Sequence, residues 1–332
     1  MFQYTIRRIL LMIPTMLGIT IMVFSISRLA PGDPVSMLLG PEATLNTERG
    51  TEIREAQMRQ YGLDKPIPVQ YVIWLKHIIC LDFGQSFKHH RPVIELIKER
   101  LPITVSLNLI AFTIIYLVAI PLGVTSALNH KGWFDRGSSL VLFILWSLPT
   151  MWAGQMMIGY LCSPEHISWF PPSGLSSNNA DTMAFFPWLA DRIWHIILPV
   201  TCMTYTGFAY LTKLLRAGML DNLRMDYIRT AKAKGLSTFV VIFRHALRNS
   251  IIPIITIMAA ILPAMFGGSL IIEKIFTIPG MGLLAFEAVT TRDYNVIMAV
   301  ATIAGVLNLT GLLLADIAYA LVDPRISFEG GE

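Results

Sequence analysis

Six stretches without a charged side chain constrain this sequence more than anything else in it. They run Ile9–Ser27, Leu101–His130, Gly137–Pro164, Ile193–Thr212, Asn249–Ile272 and Tyr294–Ala315. A helix needs about 20 mostly apolar residues to cross about 30 Å of hydrocarbon. Five blocks reach that length. The first, at about 19 residues, is flanked by Arg8 and Arg28, whose long side chains can reach the interface. A soluble core would spread its apolar residues instead of blocking them. With 54% hydrophobic and 14% charged residues and a mean hydropathy of +0.58, the chain lies outside the soluble range. The expectation is an all-α integral membrane protein with six transmembrane helices. The spans are placed at about 9–29, 102–128, 138–163, 193–215, 250–272 and 294–320, in a single domain covering 1–332. Arg7 and Arg8 before the first block resemble the start of a signal peptide. However, its apolar run exceeds the usual ~7–15 residues and no A-x-A site follows, so it is read as an uncleaved span.

Orientation follows from Lys and Arg in the short loops. One side carries Arg7, Arg8, Lys131, Arg136, Lys213, Arg216, Arg224, Arg229, Lys232, Lys234, Arg244, Arg248 and Arg325; the other has Arg192, Lys274 and Arg292. Both termini are therefore expected in the cytoplasm. The long loop 30–100 is then extracytoplasmic and the loop 216–249 cytoplasmic. In the outer loop, Thr51 to Tyr61 reads as a short polar helix ended by Gly62. "VQYVIWLKHIICLDFG" reads as an amphipathic or interfacial helix with Tyr71 and Trp74 at headgroup depth. "RPVIELIKERLP" reads as a separate short helix before Pro102, and Ser163 to Asp191 as irregular.

Candidate chemistry is sparse. The seven His and three Cys (Cys80, Cys162, Cys202) show no metal or disulfide spacing. There is no H-E-x-x-H, no G-x-S-x-G and no G-x-x-x-x-G-K-[ST] phosphate loop. Two alternatives stay open, an intramembrane enzyme, for which no nucleophile–base or metal set is found, and an ion-coupled secondary transporter, for which buried ionisable residues are sparse, Asp316 near the end of the sixth span among them. Polar and small residues inside the spans, Ser147, Thr150 and Gln155 in "WSLPTMWAGQ" and Ser269 and Glu273 in "MFGGSLIIEK", fit either a translocation path or gate, or ordinary helix packing. "IFTIPGMG" is expected to form a type II turn at its Pro-Gly.

The cytoplasmic loop holds the remaining signal, "YIRTAKAKGLSTFVVIFRHALRNSIIP". A first helix puts Tyr227, Ile228 and Ala231 on one side and Arg229, Lys232 and Lys234 mostly on others, ending at Gly235 in a left-handed conformation. A second helix, about Ser237 to Arg248, sets Phe239, Val240, Phe243 and Leu247 at helical spacing. Two readings stand side by side: a basic helix on anionic lipid, or a helix docking into a soluble partner.

The segment resembles the cytoplasmic loop of binding-protein-dependent ABC importer permeases, in particular the dipeptide/oligopeptide/nickel family. Arg229-Thr230-Ala231 stand where the wider superfamily has Glu-Ala-Ala, Arg229 replacing the acid, and Gly235 stands at its Gly. "RLAPGDPV", "YGLDKPIPVQY", "DFGQSF", "IIEKIFTIPGMG" and "VDPR" are also similar, in order along nearly the whole chain. The resemblance implies a type I importer permease that pairs with a second homologous permease to form the pore. Two cytoplasmic ATPase subunits, carrying ATP and Mg, would dock on a coupling helix made by Tyr227, Arg229, Thr230, Ala231, Lys232, Ala233, Lys234, Gly235 and Leu236. A solute-binding protein would deliver peptides or a similar small solute; nickel chelates, glutathione and saccharides use similar permeases. The chain itself would be no enzyme and would bind no cofactor, metal or nucleic acid.

Overall fold

The computed structural model describes residues 2–29, 64–259 and 261–322, and among these the only extended pairing is an isolated bridge between Gln85 and Pro92. The expected polar helix at 51–62 lies outside the described residues. The helices are α1 (Phe2–Leu29), α2 (Ile67–Ile79), α3 (Val93–Leu128), α4 (Trp133–Ser147), α5 (Thr150–Met157, extended by a π turn Ile158–Cys162) and α6 (Phe185–Leu223). There follow α7 (Asp226–Ala233) and α8, which joins Thr238–Val240, a π segment Val241–Ala246, and Leu247–Ser250. The last are α9 (Ile252–Ala259), α10 (Ile261–Gly267), α11 (Leu270–Ile275), α12 (Met281–Thr291) and α13 (Tyr294–Val322).

By length and composition three described helices can cross a membrane: Ile6–Leu29, Val93–Leu128 and Tyr294–Leu314; α4 and α5, bent by 88°, make a fourth if taken together. The fourth and fifth sequence-expected spans fall on α6, whose Thr, Tyr, Trp and His residues lower its hydropathy, and on the series α9 to α11. The chain divides into two compact units, one of Pro102–Leu283 with Thr310–Glu332, the other of Phe2–Leu101 with Leu284–Leu309.

In the second unit, Pro66 and the Pro that follows it start α2, because a ring-fixed φ suits a first helical turn whose N–H groups have no partner anyway. Tyr71 and Trp74 turn toward α1: both rings lie 5.5 Å from Phe24, and the Tyr71 hydroxyl is 2.9 Å from Thr20 Oγ1. The turn after α2 holds Asp82, whose carboxyl is kept below the usual carboxylate range by the Gly84 N–H and the His77 ring. Asp293, 1% exposed, accepts from Ser86 Oγ at 2.5 Å and from the Lys88 N–H at 3.2 Å, pinning this turn to the start of α13.

Three expectations change here. The stretch before Pro102 is no separate helix: α3 runs 36 residues through Pro102 and Pro121. At 1.5 Å per residue it is about 54 Å long, more than a bilayer core needs. The irregular loop is shorter than expected, because α6 begins at Phe185 and runs 39 residues. The fifth span is not continuous. It breaks at Gly268, whose φ of +65° leaves the helical region and is open to glycine at little cost.

In the first unit, the 88° bend has a local cause. Leu148 precedes Pro149, and a residue before proline is pushed to extended backbone; its ψ is 118°. The Leu148 carbonyl is met by the Tyr205 hydroxyl from α6 at 2.8 Å. A main cluster of this unit joins Ile115 and Ala119 of α3 to Leu211, Leu215 and Met219 of α6, with Ile228, Ala231, Val241, Ile242, Ala246 and Ile254.

Candidate functional site

The basic segment is part of that core. On α7, Ile228 is 0% and Ala231 5% exposed, three residues apart on one helical face. The opposite face shows Arg229, Thr230, Lys232, Ala233 and Lys234 to the surroundings. The helix end is a Schellman motif: the Gly235 N–H donates to the Lys232 carbonyl at 3.0 Å and the Leu236 N–H to the Ala231 carbonyl at 3.3 Å. Gly235 has φ +75°, as its sequence position predicts, and a Cβ built there would touch nothing within 4 Å. Conformation, not space, is therefore what the glycine supplies. Ser237 then caps α8, its side chain accepting from the Val240 N–H.

Tyr227 fastens the start of the segment. Its hydroxyl donates to Asn222 Oδ1 at 2.7 Å and accepts from Asn249 Nδ2 at 3.0 Å, while Asn222 Nδ2 donates to Ser250 Oγ at 3.1 Å. The end of α6, the start of α7 and the end of α8 are thus tied by one polar chain.

On α8, Phe239 and Phe243 pack on each other with ring centroids 4.5 Å apart but stand 67% and 47% exposed, whereas Val241, Ile242 and Ala246 are buried and Leu247 packs against the core cluster. The π turn at Val241–Ala246 adds a residue to the turn and rotates the later side chains off the 3.6-residue pattern.

The second candidate group separates on inspection. Ser147 is exposed and its hydroxyl donates back to Phe143 O on its own helix. Thr150 is half-buried at the start of α5 beyond the bend, and Gln155 is exposed on the same helix. Ser269 sits half-buried at the break, and its carbonyl accepts from the Glu273 N–H at 2.8 Å. Glu273 is 2% exposed and enclosed. One carboxylate oxygen accepts from Thr104 Oγ1 at 3.1 Å and the other from the Leu283 N–H at 2.9 Å. Thr104 Oγ1 in turn accepts from the Met281 N–H at 2.7 Å. Two orphan donors at the start of α12 are therefore satisfied by residues from α3 and α11.

Glycines make room for this carboxylate. A Cβ at Gly268 would run into Glu273 Oε1, and one at Gly280 would lie 2.5 Å from Oε2. The turn before it is not type II. Gly280 is absent from the positive-φ glycines, and its N–H donates to Ile278 O at 2.8 Å, a three-residue turn around Pro279.

One constellation was read only as topology. Asp135, 3% exposed, accepts from Arg216 Nε at 2.6 Å and Nη2 at 2.7 Å, from Ser126 Oγ at 2.5 Å and from the Lys131 N–H at 2.9 Å. An acid in the first turn of a helix beside a basic loop was the available signal; its distant partner on α6 left none.

A family model described as the inner membrane component of binding-protein-dependent transport systems matches residues 119–328, and a second, for the N-terminal part of such membrane components, matches residues 1–108. The chain is 41% identical over 329 residues to the oligopeptide transport system permease protein AppB of Bacillus subtilis strain 168, covering 99% of this chain and 100% of that one. It is 35% identical over 363 residues to the inner membrane ABC transporter permease protein YejB of Escherichia coli O157:H7, covering 99% and 100%. Among solved structures it is similar to the MetNI methionine ABC transporter in an inward-facing conformation, with TM-score 0.51 and 14% identity, covering 69% of this chain and 97% of that chain. That likeness speaks for the fold, a type I importer permease. Matched along nearly its whole length, this chain belongs to the family of binding-protein-dependent transport system inner membrane components, and is a membrane-embedded permease subunit of an ABC importer, not an enzyme.

Proposed function

We propose that this chain is one of two homologous permeases that together form the pore of an ATP-driven peptide importer. Two ATPase subunits dock on it and its sister chain and hold the ATP and Mg; an extracytoplasmic solute-binding protein delivers the peptide or a similar small solute. Both termini lie in the cytoplasm, with six spans in a single transmembrane domain. Peptide is favoured as substrate because the relatives at 41% and 35% identity include an oligopeptide permease. The observation that carries the docking part is α7: a short helix whose apolar face is locked into the permease core, whose basic face is open, and whose end is fixed by Gly235. A helix held rigidly on the spans can pass a partner's movement to them as a rigid-body shift. In this reading Arg229, Thr230, Lys232, Ala233, Lys234, Gly235 and Leu236 meet the ATPase. Ala231 holds the helix from within, and the exposed Tyr227 ties its start to Asn222 and Asn249 through its hydroxyl. Thr150, Gln155, Ser147 and Ser269 line the path or gate near the two helix breaks, and Glu273 holds the gate's frame.

The test is co-purification of ATPase subunits and peptide uptake in variants of the assembled importer. Gly235→Val is expected to leave membrane insertion intact and to lose uptake together with retained ATPase. Lys232→Gln with Lys234→Gln is expected to do less. Full function in Gly235→Val, with function abolished by the Lys changes, would replace docking by a lipid-surface role.

A further inference from the structure

We propose that the groove between α4 and α6 is a binding site for an anionic phospholipid, with Lys213 on the headgroup phosphate. The groove has a volume of about 420 Å³, within the ~300–1,000 Å³ of small-molecule sites. Leu142, Phe143 and Trp146 line it from α4, and Tyr210, Lys213 and Leu214 from α6. Trp146 and Tyr210, both half-exposed, stack with centroids 6.3 Å apart and planes 24° apart. Lys213 is the cation among these walls. Its ammonium donates to Ser139 Oγ, and among the described residues no carboxylate lies within ion-pair distance of it. Asp135, the acid of α4, is already filled by both Arg216 nitrogens, the Ser126 hydroxyl and the Lys131 N–H. The groove therefore carries an uncompensated positive charge at one end and is apolar along the rest.

Depth and chemistry choose the occupant. The chain is membrane-embedded, and Lys213 stands one turn before Arg216, where the fourth expected span passes into the basic loop. That is headgroup level. Tyr210 lies one turn deeper on α6, and Trp146 two turns beyond Ser139 on α4, about 10 Å along the helix. Trp and Tyr gather at this depth of a bilayer, and basic pockets between helices on the cytoplasmic side take anionic headgroups. A glycerol phosphate on Lys213 with the upper part of an acyl chain along Trp146 and Tyr210 matches both ends of the groove. A peptide lying there would leave its backbone N–H and C=O groups mostly unpaired against apolar walls, which is costly. The leaflet named here rests on the orientation proposed above; the chemistry of the groove does not.

The test uses the complete importer, co-expressed, purified through this chain and placed in nanodiscs of phosphatidylcholine with a minor share of phosphatidylglycerol. A photo-crosslinking p-benzoylphenylalanine is placed at Phe143, and the captured molecule is identified by mass spectrometry. Phosphatidylglycerol is expected to be enriched about fivefold over its share of the disc, the selectivity one cation supplies at a membrane surface. The same probe at Ile144, exposed on α4 outside the groove, should capture the two lipids in their bulk ratio, a comparison that leaves Lys213 untouched. Lys213→Gln should abolish the enrichment and Lys213→Arg keep it; Lys131→Gln, at an exposed position outside the groove, should leave it unchanged. The bulk ratio at both probe positions overturns the site and leaves ordinary boundary lipid. Enrichment that survives Lys213→Gln overturns the phosphate contact. Capture at Phe143 of labelled peptide during turnover, or of the sister permease, in place of lipid overturns the proposal in favour of a transport path or a subunit contact. An inverted chain would move the site to the other leaflet and leave the enrichment intact, so failure of the orientation and failure of the site read out separately.

Discussion

Glu273 shows how a single side chain can look like a gate residue in sequence and act as a cap in the fold. Its carboxylate sits in space that exists because positions 268 and 280 carry no Cβ. Gly280→Ala would place a methyl 2.5 Å from both Glu273 Oε2 and Thr104 Oγ1, neither of which can retreat without dropping an α12 donor. Overpacking of this kind costs about 1–3 kcal/mol. The expected result is a clearly lower melting temperature of the purified complex for Gly280→Ala than for Gly267→Ala, where a Cβ meets nothing within 4 Å. Equal melting would mean the cradle is loose. Asp135 makes the complementary case, a buried acid held by Arg216, Ser126 and the Lys131 N–H. Removing one partner of a buried pair leaves the other charge unmatched, at about 3–5 kcal/mol. Asp135→Ala should therefore fold poorly or melt far below wild type, while Ser126→Ala, which deletes one hydrogen bond, should cost only about 1 kcal/mol. Similar melting curves for the two would remove the pair from the list of structural fastenings.

Between elements, the end of α7 was legible and the face of α8 was not, for different physical reasons. A Gly after two Lys at the end of an amphipathic run is a local signal, and the left-handed residue is where the pattern puts it. The π turn in α8 is not local: it appears where Val241, Ile242 and Ala246 meet the core, and a 3.6-residue template cannot anticipate it. The same holds for the 88° bend and the break at Gly268. Proline and glycine marked both places, but the partners that settle the geometry, Tyr205 for Leu148 and Thr104 for Glu273, lie 57 and 169 residues away in sequence. An element-scale prediction follows from Gly235. Since space is free around it, Gly235→Ala pays only the left-handed conformation, about 1–2 kcal/mol. Val adds β-branching in a conformation such residues rarely adopt. Uptake should fall in the order wild type, Ala, Val. If Ala matches Val, contact with the partner at that position matters more than backbone conformation.

At the scale of the whole chain, the charge-free blocks settled the class, because hydrocarbon leaves the backbone few alternatives to helix. Orientation rests on the bias of Lys and Arg among the short loops, which is strong since acids scarcely count. It can be read with the chain's own thiols. Cys80 is exposed just after α2, whereas Cys162 and Cys202 are buried. A membrane-impermeant maleimide applied to cells with a permeable outer barrier should label native Cys80. In a Cys-free background it should also reach Asn178→Cys, an exposed position in the loop before α6. Asn178 is a better probe than its neighbour Ser177, whose N–H and hydroxyl are both taken by Asp191. The same reagent should miss Lys232→Cys, which is exposed on α7, until the inner membrane is opened. Because all three positions are accessible in the folded chain, a missing signal reports the membrane and not burial. Labelling of Lys232→Cys in intact cells, with Asn178→Cys silent, would invert the chain and place the basic segment out of reach of any cytoplasmic ATPase.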